Sequence, residues 1–299
     1  MNKIAVVSMI RNEEDIVESS VRHWALFADK IFICDHKSID RTREILDSLK
    51  SEGLPIEIST YDRDEKAQAE ITTKLSNRAF DENFDIVLPL DVDEFPILVN
   101  GNSEDLRKCL QNLDTTKIYR IQNWEHRFAD NDETQYALSR TLVKLNADDA
   151  KKEFKKIFVG RDFWIKHNPT VAQGNHGLKI ADQKSNSPID LDSIIYAHIP
   201  IRSENQEISK YATSWIATLL KYSRYTWHAI HCKRFVRRYV NDESVAEMSM
   251  EGFVPTDLSA YKNEVSLRFS GGGGQQSYTK TTHSRGKSRQ YNLQRAYTG

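Results

Sequence analysis

The sequence has few cysteines, no long apolar run and almost no net charge, and each of these features excludes a class of protein. Its 3 cysteines lie far apart, which predicts reduced thiols and neither a disulfide framework nor a zinc knuckle. No stretch approaches the roughly 18 apolar residues of a membrane span, and the first residues lack the apolar core of a signal peptide. Lys and Arg total 42 against 43 Asp and Glu, so a nucleic-acid partner is not expected. We therefore expect a cytoplasmic protein that at most contacts the inner face of a membrane.

Short apolar runs recur through the N-terminal part of the chain at the spacing of βα units. They are residues 4–10, 31–34, 56–60 and 86–90. Their near-continuous hydrophobicity predicts strands that are covered on both faces of a parallel sheet. Asn12 is the expected N-cap of the first intervening helix, and residues 64–80 are compatible with another. The pattern predicts an α/β fold with a Rossmann-like, mostly parallel central sheet flanked by helices.

Acidic residues directly follow two of these predicted strands. Asp35 comes after the second strand, and Asp91 and Asp93 come after the fourth. Ligands of open α/β sheets bind beyond the carboxyl ends of the strands, so we expect these side chains to line one crevice. The tripeptide D-x-D also begins at residues 62, 130 and 190, but only the one at 91 follows a long apolar run. Because Mg²⁺ and Mn²⁺ prefer oxygen ligands on a rigid support, it is the candidate metal site, with a solvated turn as the alternative.

Several longer blocks of sequence follow one another in a fixed order across residues 4–210. They are "VSMIRNEEDIVESSVRHWALF", "ICDHKSIDRTREIL", "LPLDVDEF", "NWEHRF", "KKIF", "GNHG" and "HIPIRSENQEISK". In this order they resemble nucleotide-sugar glycosyltransferases of family two, in the branch with D-x-D-E-F, and the related family 92. The resemblance implies a GT-A fold and a metal-dependent, inverting hexosyltransferase. Such an enzyme moves a sugar from a nucleotide diphosphate, with UDP as the expected nucleotide, to a hydroxyl of a glycan or glycolipid.

The resemblance also implies roles for individual residues. The implied ligands of Mn²⁺ or Mg²⁺ are Asp91, Asp93 and His198. The implied contacts to the nucleotide sugar are Arg11, Asn12, Asp35, Asp91, His176 and Arg202. A bound divalent cation would neutralise the charge that develops on the departing diphosphate. For the histidines and the arginine the alternative is an ordinary structural or surface residue. His36 stands where the family usually has Asp or Asn, so the base of the donor nucleotide stays open.

The catalytic base has two candidates. Glu125 lies in "NWEHRF", where Trp124 and Phe128 could form an apolar platform for a sugar ring. A half-exposed structural strand with a core tryptophan is the alternative for that segment. Asp162, in "GRDFW", is the rival base.

The C-terminal part differs in composition from the rest. The expected division is a glycosyltransferase domain at 1–203 (a nucleotide-sugar-binding half at 1–98 and an acceptor-side half at 99–203), a helical extension at 204–270 and a flexible basic tail at 271–299. Basic and aromatic residues alternate in 221–240. That alternation suits peripheral contact with an anionic membrane carrying a lipid-linked acceptor, with a solvated basic helix as the alternative. The glycine-rich tail is too polar to form a core.

Other functions remain open at this point. A phosphatase of the haloacid-dehalogenase type also uses D-x-D, but on an early strand and followed by Thr or Val, whereas Glu94 and Phe95 follow here. A nucleotidyltransferase needs a basic, glycine-rich loop after the first strand, and "SMIRNEED" is acidic. The non-enzymatic alternative is a glycan-binding pseudoenzyme or assembly partner that keeps the sheet without metal-dependent donor binding.

Overall fold

The computed structural model describes residues 1–65, 67–128, 136–140, 142–145, 155–180, 187–221, 230–240, 253–255, 258–261 and 264–268. The strands are β1 (Ile4–Ile10), β2 (Lys30–Asp35), β3 (Ile56–Thr60), β4 (Ile86–Pro89), β5 (Glu94–Leu98), β6 (Ile118–Phe128), β7 (Leu142–Leu145), β8 (Lys156–Gly160), β9 (Thr170–Val171), β10 (Leu178–Lys179), β11 (Ile189–His198) and β12 (Phe253–Pro255). The helices are α1 (Val17–Ala25), α2 (Thr42–Ser51), α3 (Gln68–Asp81), α4 (Ser103–Gln111), α5 (Arg161–His167), α6 (Glu204–Lys221) and α7 (Ile230–Val240).

One central sheet organises the described part of the chain. Its strand order is β12-β7-β6-β8-β4-β1-β2-β3, and β11 joins it beside β6 while pairing with β5. Strands β1 to β4 run parallel to one another. Strand β8 is antiparallel to both β4 and β6, so β6 runs in the direction of β4, and β11 is parallel to β6. The α/β fold with a mostly parallel central sheet and flanking helices is confirmed.

Two apolar layers cover the faces of this sheet. On one face, side chains of β1, β2 and β4 pack with the apolar sides of α1 and α2, including Val21, Trp24 and Leu46. On the other face, α3 and α5 contribute Leu75, Phe80 and other side chains. Strands buried on both faces must be apolar at nearly every position, which is why the runs in the sequence predicted them.

The N-terminal strands match the apolar runs closely, but the first helix begins later than expected. α1 starts at Val17, and Asn12 does not cap it. Asn12 instead adopts a left-handed backbone conformation with φ of 55°, which asparagine tolerates better than most residues. The predicted helix at 64–80 is observed as α3.

After residue 203, the described part of the chain consists mainly of α6 and α7, and it also contributes the short strand β12. β12 pairs antiparallel with β7, at the end of the central sheet. Tyr261 is buried in the main core, and its hydroxyl accepts a hydrogen bond from the backbone N–H of Leu98 at 2.7 Å. The expected tail at 271–299 lies outside the described residues. Among the described helices, none combines the length and the apolarity that crossing a bilayer requires.

Candidate active site

The D-x-D tripeptide lies at the point where the order of the strands reverses. β2 and β3 extend the sheet on one side of β1, and β4 lies on the other side. The loops that follow β1, β2 and β4 are therefore neighbours at the carboxyl ends of these strands. Ile10 at the end of β1 is paired with Asp35 at the end of β2, and Val7 is paired with Pro89 of β4. Such a reversal leaves a crevice beyond the strand ends, which is the usual ligand position in open α/β sheets.

The Asp91 carboxylate is held by side chains from three separate segments. Its Oδ1 accepts hydrogen bonds from Gln68 Nε2 at 2.7 Å and Asn175 Nδ2 at 3.1 Å. Its Oδ2 accepts one from Lys156 Nζ at 2.9 Å. These contacts hold the carboxylate in one orientation at the strand end.

Lys156 is a buried lysine that joins the D-x-D segment to the "GNHG" loop. Its side chain is 3% exposed, and its ammonium also lies 2.7 Å from Glu94 Oε1 and 2.7 Å from the carbonyl oxygen of Gly174. Glu94 Oε2 in turn accepts a hydrogen bond from the backbone N–H of Asp91 at 3.0 Å. Burial raises the pKa of Glu94 to about 7 even though Lys156 opposes the shift. The Glu of the D-x-D-E-F block is therefore a buried support for the D-x-D turn.

Asp93 faces a second set of positive groups. Lys210 Nζ, from α6, lies 2.6 Å from Asp93 Oδ2, and His198 Nε2 lies 3.6 Å from the same oxygen. Burial alone would raise the pKa of Asp93, but the charges of Lys210 and His198 hold it well below its usual range. Conversely, burial would lower the pKa of His198, and Asp93 raises it.

Arg202 is bound by acidic residues of the first loop. Its guanidinium contacts Asp15 at 2.6 Å and also Glu13, while Nη1 lies 3.9 Å from Asp93 Oδ2. Its side chain is 3% exposed. Burial raises the pKa of Glu13 to about 7 against the opposing charge of Arg202. Arg202 thus links the first loop to the segment between β11 and α6, and its contact to a phosphate stays a prediction.

The first and second loops are tied together by hydrogen bonds. The backbone N–H of Asn12 donates to Ser38 Oγ at 3.0 Å, and Asn12 Oδ1 accepts from the backbone N–H of Ile39 at 2.9 Å. Asp35 is buried, and its Oδ1 accepts from the backbone N–H of Ser38 at 3.1 Å. Asn12 and Asp35 thus shape the rim of the crevice.

Arg11 and His36 complete this rim. Within the described residues, the buried Nε of Arg11 has no hydrogen-bond partner. The His36 ring lies 5.4 Å from that of Tyr61 between centroids, and its Nε2 is 2.7 Å from the carbonyl oxygen of Arg63. Burial lowers the pKa of His36, which favours its neutral form.

The structure brings one candidate base to the site and leaves the other outside it. His198 is paired with Glu94 of β5 on one side and with Glu125 of β6 on the other, so the three residues form a row across neighbouring strands. Asp162 instead lies at the start of α5 and accepts a hydrogen bond from Thr115. The preceding Gly160 is paired with Ile86, at the end of β4 remote from the D-x-D turn. Asp162 therefore lies at the end of the central strands opposite to the D-x-D turn.

The aromatic residues beside Glu125 are partly used in packing. Trp124 and Phe128 both pack against the main core. The Arg140 guanidinium lies 3.4 Å from the centroid of the Phe128 ring. One face of Phe128 is thus covered by a cation, and a sugar platform at this position stays a prediction.

The "GNHG" loop reaches Asp91 through its asparagine and not through its histidine. Gly174 has φ of 77°, and a Cβ placed there would lie 2.7 Å from the His176 ring. Asn175 is buried and donates to Asp91, whereas His176 Nδ1 lies 3.3 Å from the carbonyl oxygen of Lys155. Only glycine suits position 174, because the backbone is left-handed there and the ring packs against it.

The donor set at the D-x-D turn suits a hard divalent cation in its chemistry. Asp91 and Asp93 offer carboxylate oxygens, and His198 offers an imidazole. Nevertheless, no three His, Cys, Asp or Glu side chains converge as a metal site in the part of the chain that the structure describes. Instead, a lysine ammonium lies against each of the two carboxylates.

Four residues of this cluster were not assigned a role from the sequence. They are Gln68, Lys156, Asn175 and Lys210. Lys156 and Lys210 lie inside the blocks "KKIF" and "HIPIRSENQEISK", and Asn175 lies in "GNHG". The position of these blocks in the fixed order was the available signal, and Gln68 gave none.

Comparisons with known proteins give structural likenesses only. No protein family and no curated protein matches the sequence. The chain is similar to a structure of S. aureus TarS with UDP, at 13% identity and a TM-score of 0.40 over 86% of this chain and 76% of that one. It is similar to glucosyl-3-phosphoglycerate synthase from Mycobacterium tuberculosis with Mg²⁺ and UDP, at 14% identity and a TM-score of 0.38 over 74% and 79%.

A third likeness is to the mannosyltransferase PcManGT from Pyrobaculum calidifontis with GDP-Man and Mn²⁺. The identity is 10% and the TM-score 0.40, over 79% of this chain and 70% of that one. All three TM-scores are low, so these likenesses establish neither the fold family nor the activity of this chain.

Proposed function

We propose that the protein is a metal-dependent glycosyltransferase of the GT-A fold. It transfers a sugar from a nucleotide diphosphate, with UDP as the first candidate, to a hydroxyl of a glycan or glycolipid. One observation carries this proposal: the D-x-D carboxylates lie at the switch point of a mostly parallel sheet, in one cluster with His198 and two lysines. The ordered sequence blocks, which resemble family two and family 92, support it.

The donor would bind across the ends of β1, β2 and β4. Asp91, Asp93 and His198 would hold Mn²⁺ or Mg²⁺, which supplies positive charge at the leaving diphosphate. Arg11, with its unpartnered buried Nε in the described structure, offers a donor to a phosphate or base at the rim. Asp35 and Asn12 fix the loops that border the nucleotide.

The acceptor would enter beside β6. Glu125 is the proposed base, because it neighbours His198 in the sheet and its side chain is 37% exposed. A carboxylate in this place can accept the proton of an acceptor hydroxyl while the sugar is transferred with inversion. The nearby Arg127, whose Nη2 lies 3.6 Å from Glu125 Oε1, orients that carboxylate.

The described part of α7 supports peripheral contact with an anionic membrane. Lys233, Arg234 and Arg237 are exposed there, and Ile216 and Leu220 are exposed on the neighbouring α6. Basic and apolar side chains on adjacent exposed helices suit an acidic lipid surface. Sedimentation with vesicles, with and without phosphatidylserine, tests this contact. Binding that is absent from both, or equal for both, contradicts it.

The activity is tested by titrating UDP-sugars and GDP-sugars with and without Mn²⁺, and by assaying donor hydrolysis across the panel. A glycosyltransferase binds at least one donor more tightly with Mn²⁺ and hydrolyses it slowly in the absence of acceptor. A glycan-binding pseudoenzyme shows neither the metal requirement nor the hydrolysis. The absence of nucleotide-sugar binding under every condition contradicts the proposal.

Asp93→Ala is the variant that probes the D-x-D turn. It removes a carboxylate ligand and also the close acceptor of Lys210, so thermal unfolding must first show that the variant is folded; turnover of the folded variant should then fall by about 100-fold or more. Asp192→Ala is the matched control, since Asp192 ends the "DLD" tripeptide at an exposed position of β11. Near-normal turnover of Asp93→Ala, or an equal loss in both variants, would count against the assignment.

A further inference from the structure

Lys210 pairs with the carboxylate of Asp93, one of the proposed ligands of the divalent cation. Its ammonium lies 2.6 Å from Asp93 Oδ2, and within the described residues it also has a longer contact of 3.4 Å to the carbonyl oxygen of Pro200. His198 Nε2 lies 3.6 Å from the same Oδ2 atom. A divalent cation shared by Asp93 and His198 would therefore compete directly with this ammonium.

The two lysines of the site differ in their freedom to move. Lys156 is 3% exposed and has close acceptors in Asp91, Glu94 and Gly174, so its ammonium is fixed. Lys210 is 33% exposed and has one close acceptor. Its flexible four-carbon stem allows the ammonium to leave Asp93 without disturbing α6.

Arg202 is not an alternative source of mobile positive charge. Its guanidinium is buried against Asp15 and Glu13, and it lies 3.9 Å from Asp93. Removing it would leave these carboxylates without their counter-charge. Lys210 is thus the cation of this cluster that can turn toward a ligand in the crevice.

We propose that Lys210 changes partner when the donor binds: the divalent cation displaces its ammonium from Asp93, and the ammonium then contacts the donor diphosphate. The inference rests on the proposed function, because it takes the D-x-D turn as the diphosphate site. The exchange conserves charge pairing, since the cation neutralises the two carboxylates and the phosphate oxygens accept the released ammonium. Lys210 is then a donor-binding residue whose free-state partner is the metal ligand itself.

The exchange predicts that Lys210→Met raises the affinity for Mn²⁺ and lowers the affinity for UDP. In Lys210→Met the competitor of the cation is absent, so Mn²⁺ alone should bind about tenfold more tightly. With Mn²⁺ saturating, UDP should bind about tenfold more weakly, because one charged contact to the diphosphate is lost. Lys210→Arg should keep UDP binding within about threefold of wild type, since it retains the charge.

The measurements are calorimetric titrations of Mn²⁺ alone, and of UDP at saturating Mn²⁺, after thermal unfolding has shown that each variant is folded. Lys108→Met is the matched control, because Lys108 pairs with Glu104 at 2.7 Å on an exposed helix face. It should change neither affinity. Weakening of both ligands by Lys210→Met indicates a structural role and overturns the proposal, as does no change in either, or a change in UDP binding alone.

Failure of the exchange and failure of the proposed function give different results. If wild type binds UDP with Mn²⁺ but Lys210→Met shows no opposite shifts, the exchange is wrong and the function stands. If wild type binds neither UDP nor any nucleotide sugar with Mn²⁺, both are wrong.

Discussion

Lys156→Met should destabilise the protein far more than other lysine substitutions do. The variant keeps the apolar stem and removes an ammonium that lies 2.7 Å from Glu94, 2.9 Å from Asp91 and 2.7 Å from the Gly174 carbonyl oxygen. Because Glu94 is fully buried, at pH values above its pKa the change leaves a carboxylate without its partner in the protein interior. Breaking a buried ion pair from one side costs about 3–5 kcal/mol, and we expect a loss in that range.

Urea unfolding of wild type, Lys156→Met and Lys155→Met measures this loss. Lys155 is the matched control, since its ion pair with Asp190 is partly exposed and should contribute less than about 1 kcal/mol. Adding Glu94→Gln to Lys156→Met should restore about 1–3 kcal/mol, because the unpaired charge is then removed as well. A loss below about 1 kcal/mol in Lys156→Met, or no recovery in the double variant, would refute the reasoning.

The same variant has a predictable dependence on pH. The pKa of Glu94 is raised from 4.5 to about 7 in the folded protein. A carboxyl with a raised folded pKa favours the folded state more as pH falls through that value. Without Lys156 the pKa of Glu94 rises further, so the deficit of Lys156→Met should shrink as pH falls toward 7 from above and should stay nearly constant below it. A deficit that grows on acidification would contradict this assignment of the buried charge.

Two further predictions concern stability outside the D-x-D turn. The pKa of His23 is lowered to about 4 by burial, so relative to His23→Gln the wild-type protein should lose about 3 kcal/mol of stability as pH falls from 6.5 to 4; pH-dependent urea unfolding that shows no difference in slope would contradict this. Gly174→Ala should cost more than Gly53→Ala, because both have positive φ but only the Cβ at 174 would meet the His176 ring, at 2.7 Å. Thermal unfolding that ranks the two glycine variants the other way would refute the packing argument.

The parts of the fold that could be predicted are those with a local physical signature. A strand covered on both faces must be apolar throughout, and β1 to β4 were therefore visible as runs. The location of Asp91 at a strand end followed from the same runs. In contrast, β12 pairs with β7 across more than a hundred residues of chain, and no local pattern in the C-terminal extension indicates this.

The partners of the site carboxylates could not be predicted, because they are set by tertiary structure. Gln68, Lys156 and Asn175 converge on Asp91 from 23, 65 and 84 residues away along the chain. A lysine in a sequence is usually a solvated surface residue, and nothing nearby marks Lys156 as buried.

Asn12 and Asp162 show the limits of reasoning from spacing. Asn12 precedes acidic residues and looks like an N-cap, yet its side chain binds the backbone of Ile39 in another loop. Asp162 follows a strand, as Asp91 does, but β8 runs antiparallel to β4. The carboxyl end of β8 therefore lies beside the amino end of β4, away from Asp91. Strand direction, which the sequence does not display, decides which strand ends share a crevice.

The most direct test of the account is anomalous diffraction from crystals of the protein grown with Mn²⁺ and UDP. We predict a manganese peak in contact with the carboxylates of Asp91 and Asp93, the UDP phosphates on the same ion, and the Lys210 ammonium against a phosphate oxygen. UDP bound elsewhere, or bound with Lys210 still on Asp93 and no manganese between the two carboxylates, would contradict the account.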